Sequence, residues 1–196
     1  MLKDFAYIGR DLFLSGLNSS HSGNLSVRFG DRIVITRRGA MLGQLTERDL
    51  IETGLARNDS HIILASTEIG VHRAIYQGTA ALAIVHAHPV HAIALSLLED
   101  QIIPVDSEGA YLLHKIPVIK VEHTIGSKEL EKILPGLLSE YKIVMVRGHG
   151  SFAVGQMLEE AYQWTSTLEQ VSRIICLTRG LQGSIKEGPL KGNINW

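Results

Sequence analysis

Two histidines one residue apart, His86 and His88, close the apolar run LAIVHAH, and a third, His149, sits between glycines just after another apolar run, IVMV. Side chains at i and i+2 of a strand leave on the same face, so the first two imidazoles project together. Two such imidazoles, a third from elsewhere and one position left open make the ligand pattern of a catalytic zinc site. The His-x-His spacing alone fits equally well with histidines satisfied by hydrogen bonds at a strand end. An acid–base group is at hand in Glu68, within ASTEIGVH at the predicted first turn of a helix, where a carboxylate also complements the helix dipole. Ser66 and Thr67, with the free N–H groups of that turn, can cradle a phosphate or carboxylate. Asn24 in SGNLS and the Arg38-Gly39 pair in TRRGA are two further anion-friendly turns, or else plain loops beside strands.

The elements that must carry these groups are legible from periodicity. Phe5, Ile8 and Leu12 predict a helix over 3–15, and Gly16 stops it. NLSVRF and RIVIT predict a hairpin turning at Gly30-Asp31. Thr46 and Asp49 suit a short capped helix, and HIIL (61–64) reads as a short strand. Ser66 or Thr67 can cap a helix over 68–77, after which come a strand ending at His88 and a helix from Pro89 to about Leu98. PVIKV, IVMV and FAV predict three more strands, with a helix near 128–138 that Pro135 should end or kink. A long helix over 158–179 follows, with Leu158, Ala161, Tyr162, Thr165, Leu168, Ser172 and Ile175 along one side. The fold class is α/β (α+β-like), a central sheet covered by helices.

Composition excludes several functions. The 196 residues suit one domain, and 19 Lys and Arg against 20 Asp and Glu leave a net charge of -1, so no nucleic-acid partner is expected. The one cysteine, Cys176, reads as a small core residue, and no disulfide framework exists. Asp4 and Arg10 interrupt any secretory signal, and the apolar stretch 80–98 holds three histidines and a proline, so a cytoplasmic chain without a membrane span is expected. His72 and His91 read as packing or hydrogen-bonding groups and Trp164 as core. The tail 182–196, rich in glycine, reads as loosely ordered, with Trp196 free to dock on a neighbour.

In order and separation, GNLSVR, ITRRG, ASTE with His72 four residues on, VHAHP and RGHG resemble the class II aldolase/adducin family over about residues 3–180. The resemblance implies one domain over 1–196 with a mixed, largely antiparallel sheet between helices, in a homotetramer whose active sites lie at subunit interfaces. It implies Zn2+, with Mn2+ or Co2+ able to substitute, on His86, His88 and His149, and Glu68 as the acid–base residue that also touches the metal. The phosphate of a sugar-phosphate substrate then falls to Asn24, Arg38, Gly39, Ser66 and Thr67. The implied reaction is reversible cleavage of a ketose 1-phosphate of the L-fuculose 1-phosphate kind to dihydroxyacetone phosphate and an aldehyde through an enediolate. Alternatives within the family are methylthioribulose-1-phosphate dehydration and ribulose-5-phosphate 4-epimerisation. A non-catalytic adducin-like interaction module is the alternative of another class, and intact ligands argue against it. Two departures stand out: Arg38 occupies a turn that commonly reads Thr-Gly or Ser-Gly. In IPVDSEGAYLL, Glu108 falls where fuculose-phosphate aldolases carry a proton-donating tyrosine reaching a neighbouring subunit, with Tyr111 three residues on.

Overall fold

The structure is a computed structural model and describes residues 1–181. Its elements are α1 (Leu2–Leu14), β1 (Asn24–Phe29), β2 (Arg32–Thr36), β3 (Leu50–Gly54), α2 (Ile69–Gly78), β4 (Ala83–Ala87) and α3 (Val90–Ser96). There follow β5 (Gln101–Ile102), α4 (Ser107–Leu112), β6 (Ile116–Ile119), α5 (Lys128–Leu138), β7 (Ile143–Val146), β8 (Gly150–Gly155) and α6 (Leu158–Gly180). The strands form one sheet in the order β3-β2-β1-β4-β8-β7-β6-β5. Every neighbouring pair is antiparallel except β6 with β7. This is the expected mixed, largely antiparallel sheet.

Both faces are covered, and alternation along the strands sorts their side chains. Val85 and Ala87 of β4 join α1, α3 and α6 in one apolar layer, where Phe5, Leu12, Ala92, Leu168 and Val171 are buried. Ile84 of β4 and Phe152 of β8 join α2 and α5 in the other, with Val71, Ile75, Leu130 and Leu134. Each such large side chain contributes about 1.5–3 kcal/mol on burial. All five residues of β4 are buried, as befits a central strand covered on both sides. No helix among the described residues is long and apolar enough to cross a membrane. The stretch 80–98 divides instead into β4 and α3.

Several expectations need correction. HIIL lies in a short 3-10 helix, Ser60–Leu64, because the Asp59 carboxylate accepts the His61 N–H at 3.2 Å and starts a helical turn. The helix α2 begins one residue later than expected: Glu68 is its N-cap, and neither Ser66 nor Thr67 caps it. The helix α5 runs on through Pro135 to Leu138, and the proline ring packs where Gly78 of α2 has no Cβ. Four short elements escaped the periodicity: a 3-10 helix over Leu42–Gln44, β3, β5 and α4. The expectations for 182–196, including Trp196, lie outside the described residues. The capping box of Thr46 with Asp49 is present as read, Thr46 Oγ donating to the Asp49 carboxylate at 2.7 Å.

The helix α4 carries Glu108 and Tyr111, and its seat on α6 depends on Gly109. A Cβ there would strike the buried Val171 side chain and lie 2.9 Å from Asp106 Oδ1. Gly109→Ala should therefore destabilise the protein by about 1–3 kcal/mol, the usual range for overpacking, read as a lower urea midpoint at unchanged slope. A midpoint equal to the parent's would mean that α4 does not rest on α6 as described.

Candidate active site

The histidines converge because three strands and one turn fix their backbones. Antiparallel pairing sets Phe152 and Ser151 of β8 opposite His86 and Ala87 of β4, while Asn24 of β1 lies opposite His86 on the other side. His88 stands just past the strand, where its N–H donates to the Leu17 carbonyl and Asn18 Oδ1, both at 2.9 Å. His149 ends the tight turn from β7 to β8, its N–H donating to the Val146 carbonyl at 3.0 Å. One nitrogen from each ring lies within 4.8 Å of the others. Among the described residues this is the one cluster of three or more His, Cys, Asp or Glu with that convergence.

Ring chemistry says which nitrogens are free. The Ser151 carbonyl can only accept, so His86 Nδ1, 2.9 Å from it, must donate and leave its Nε2 lone pair open. That Nε2 lies 3.0 Å from His88 Nε2. Such a carbonyl partner on the far ring nitrogen is the usual way a metal-binding histidine is oriented. Gly150 admits the rings: a Cβ there would lie 2.7 Å from His88 Cδ2 and 3.1 Å from His86 Cε1. Burial holds His86 well below the ordinary imidazole range, with His88 and His149 adding to the effect. Burial also lowers His88, and takes His149 down to about 4 with help from His88, against the Thr124 carbonyl. Three neutral imidazoles in one place are what a divalent transition metal requires, so the residues present fit such an ion.

Glu68 faces the same cavity and is 2% exposed. Its Oε2 accepts the Gly126 N–H at 3.0 Å, and its own N–H donates to Ser66 Oγ at 3.2 Å. Burial pushes the carboxyl up to about 7, the Gly126 amide pulling the other way. The cavity, about 160 Å³, is lined by the segments 21–24, 37–39 and 66–68, the three histidines and Ile125. Asn24, Arg38, Gly39, Ser66 and Thr67 are thus brought together with the histidines and Glu68. The Arg38 guanidinium is exposed and makes no hydrogen bond among the described residues, whereas Arg37 is committed to Asp49 at 2.9 Å. Glu108 and Tyr111 do not line this cavity. Glu108 is exposed on α4 beside surface clefts bordered by α1 and α6.

Sequence reasoning missed Asn18, Arg37, Ile125 and Gly126. Arg37 adjoins a residue already singled out, but Gly126 comes from the loop between β6 and α5, and no local spacing ties it to Glu68. His72 and His91 lie outside the group of three converging histidines. His72 is fully buried, and His91 pairs with Glu169 of α6 at 2.6 Å.

The raised Glu68 pKa has a measurable consequence for stability. Between the ordinary value of 4.5 and about 7, the folded protein keeps a proton that the unfolded chain has released. Metal-free protein should therefore lose stability from this group as pH rises through that window, on the order of 3 kcal/mol in all. Glu68→Gln removes the effect, so urea unfolding without metal should show the variant gaining on the parent at pH 8 relative to pH 5. An equal difference at both pH values would place the carboxylate in water.

Comparison with known proteins shows the family. The crystal structure described as L-fuculose-1-phosphate aldolase from Thermus thermophilus superposes with a TM-score of 0.88 at 36% identity, covering 95% of this chain and 97% of that one. A protein named L-fuculose phosphate aldolase from Methanococcus maripaludis is 29% identical over 184 residues, 92% of this chain and 99% of its own length. A 3-oxo-tetronate 4-phosphate decarboxylase from Pectobacterium atrosepticum is 29% identical over 175 residues, 86% of this chain and 80% of its own. Residues 3–176 match the family described as Class II Aldolase and Adducin N-terminal domain, a span that begins in α1, takes in the whole sheet and the cavity, and ends within α6. This chain belongs to the class II aldolase and adducin family.

Proposed function

We propose that this protein is a metal-dependent sugar-phosphate aldolase that reversibly cleaves a ketose 1-phosphate of the L-fuculose 1-phosphate kind. The observation that carries the reading is a single cavity holding three neutral imidazoles, a buried carboxyl and a set of anion-binding turns. Ser66, Thr67, Asn24 and the Arg38-Gly39 turn hold the phosphate and so set the position of the carbon chain relative to Glu68. When bound at His86, His88 and His149, zinc (or manganese or cobalt in its place) supplies Lewis acidity that favours negative charge on the substrate's carbonyl oxygen. Glu68 moves the proton at the carbon that becomes part of dihydroxyacetone phosphate, giving it in cleavage and taking it in synthesis. Its pKa near 7 lets it do both close to neutral pH.

The other end of the broken bond needs a group that takes the hydroxyl proton in cleavage and returns it in synthesis. Among the described residues the cavity holds no carboxylate besides Glu68 and no tyrosine, and at about 160 Å³ it is smaller than the ~300 Å³ at which ligand pockets usually begin. We assign that role to Glu108 or Tyr111 of a neighbouring subunit in a homotetramer with active sites at its interfaces. The chain acts in the cytoplasm as a single domain. The decarboxylase relative is named for a substrate that also joins an oxo group and a phosphate, so substrate specificity is to be read from a panel. Ketose 1-phosphates yielding dihydroxyacetone phosphate support the aldolase, and release of carbon dioxide from a 3-oxo-tetronate 4-phosphate, or a dehydrated diketone from methylthioribulose 1-phosphate, would replace it.

Purified protein should carry about one zinc per chain. His86→Ala should lose most of that metal on elemental analysis, and unchanged occupancy would remove His86 from the ligand set. Hydrogen-isotope exchange into dihydroxyacetone phosphate separates the two proton transfers, because it needs no aldehyde. Glu68→Gln should slow exchange by about a hundredfold or more, whereas Glu108→Gln should leave exchange nearly intact and slow full cleavage. Equal loss of exchange in both variants would make Glu108 a support for the fold or the metal and leave the aldehyde end to Tyr111.

A further inference from the structure

His86 is the most enclosed of the three histidines, and two neighbours on β8 hold its ring. The Ser151 carbonyl fixes Nδ1, which leaves the ring free to tilt about that hydrogen bond. Phe152, its cross-strand partner, removes this freedom: the two rings stack with centroids 4.2 Å apart and planes 16° from parallel. His72 of α2 meets Phe152 edge-on, its centroid 6.1 Å from the phenyl ring and its plane turned by 73°. His72 Nδ1 lies 2.6 Å from Ser26 Oγ, which lies 2.7 Å from the Tyr76 hydroxyl. Ser26, His72, Tyr76 and Phe152 are all 0% exposed, and none of them lines the cavity.

Packing alone does not call for these residue types. Much of the layer between the sheet and α2 is hydrocarbon, where polar side chains cost stability unless they are satisfied. His72 Nε2 has no hydrogen-bond partner among the described residues, a cost that leucine or phenylalanine would avoid. What a hydrogen-bonded trio supplies and hydrocarbon does not is a single side-chain orientation. A fixed His72 gives Phe152 one fixed edge-on neighbour, and Phe152 stacks against the plane of His86.

We propose that Phe152, braced by the Ser26–His72–Tyr76 network, is a positioning residue for His86, holding its imidazole so that Nε2 points at the common centre of the three histidines. This rests on the reading of His86, His88 and His149 as metal ligands. The test is zinc affinity of the full chain, measured by competition with a chromogenic chelator beside thermal unfolding of the metal-free protein. Phe152→Leu should weaken zinc binding by about tenfold, toward the lower end of what loss of a ligand's supporting partner does. His72→Phe should weaken it in the same direction by less. His72→Asn, whose amide can reach Ser26 from the Nδ1 position, should recover part of that loss. Ile75→Val, a core change on the same helix, should lower the melting temperature and leave zinc affinity unchanged. Cobalt-loaded Phe152→Leu should also show altered visible absorption bands, because these report ligand geometry. Affinities of Phe152→Leu and His72→Phe equal to the parent's would overturn the proposal. A folded parent that binds no zinc would overturn the metal site itself.

Discussion

The antiparallel pairing of β4 with β8 governs where each imidazole points. Side chains alternate along a strand, so a slip of one residue in this register would carry His86 from the α2/α5 face of the sheet to the α1/α3/α6 face. His86 would then enter an apolar layer, and Ala87 would look into the cavity. The observed register does more than choose the face. It sets the Ser151 carbonyl within reach of His86 Nδ1 and Phe152 against the ring. It also puts the β7–β8 turn, and with it His149, at the end of β4 where His88 leaves the strand. Burial of β4 on both faces makes a register shift expensive, because it would exchange polar for apolar side chains in both layers at once.

This dependence explains which parts of the site could be read from sequence. His86 and His88 were legible because the two-residue period of a strand is a local rule. His149 was legible because an apolar run followed by glycines marks a strand end. The apolar stripe of α6 marked its buried side, with Leu158, Ala161, Thr165, Leu168, Ser172 and Ile175 buried and Tyr162 half-buried against the same layer. Contacts made across the fold left no such trace. Gly126 meets Glu68 only because the loop after β6 passes over the N-terminus of α2. HIIL has the composition of a strand, yet Asp59 captures the backbone first and leaves Ile63 and Leu64 exposed. The short β5 and α4 are too brief for a period to register. In α4 the signal lay in one side chain, Asp106, which accepts the Gly109 N–H at 2.8 Å.

Electrostatics gives the site its character, and two opposite shifts have one cause. Burial disfavours charge of either sign, so it raises the pKa of Glu68 and lowers those of the three histidines. All four groups are driven toward neutrality, which is the least costly way to keep them together out of water. The hydrogen bond from Gly126 is the one described interaction on Glu68 that favours its charged form, and burial outweighs it.

A positive charge at the centre of the imidazoles reverses part of this balance. Neutral nitrogens are already in the form that coordinates, so the lowered histidine pKa values favour binding with no proton to displace near pH 7. The nearby carboxylate would be drawn toward its ionised form, because the ion is then the largest charge in the cavity. The folded chain presents the converged ligands and the unfolded chain does not, so binding there stabilises the fold as well as equipping the site. At a free metal concentration one hundred times the dissociation constant, that linkage is about 2.7 kcal/mol, comparable with the stability that burial of Glu68 removes. The arrangement that weakens the metal-free protein is therefore the same one that prepares it to bind.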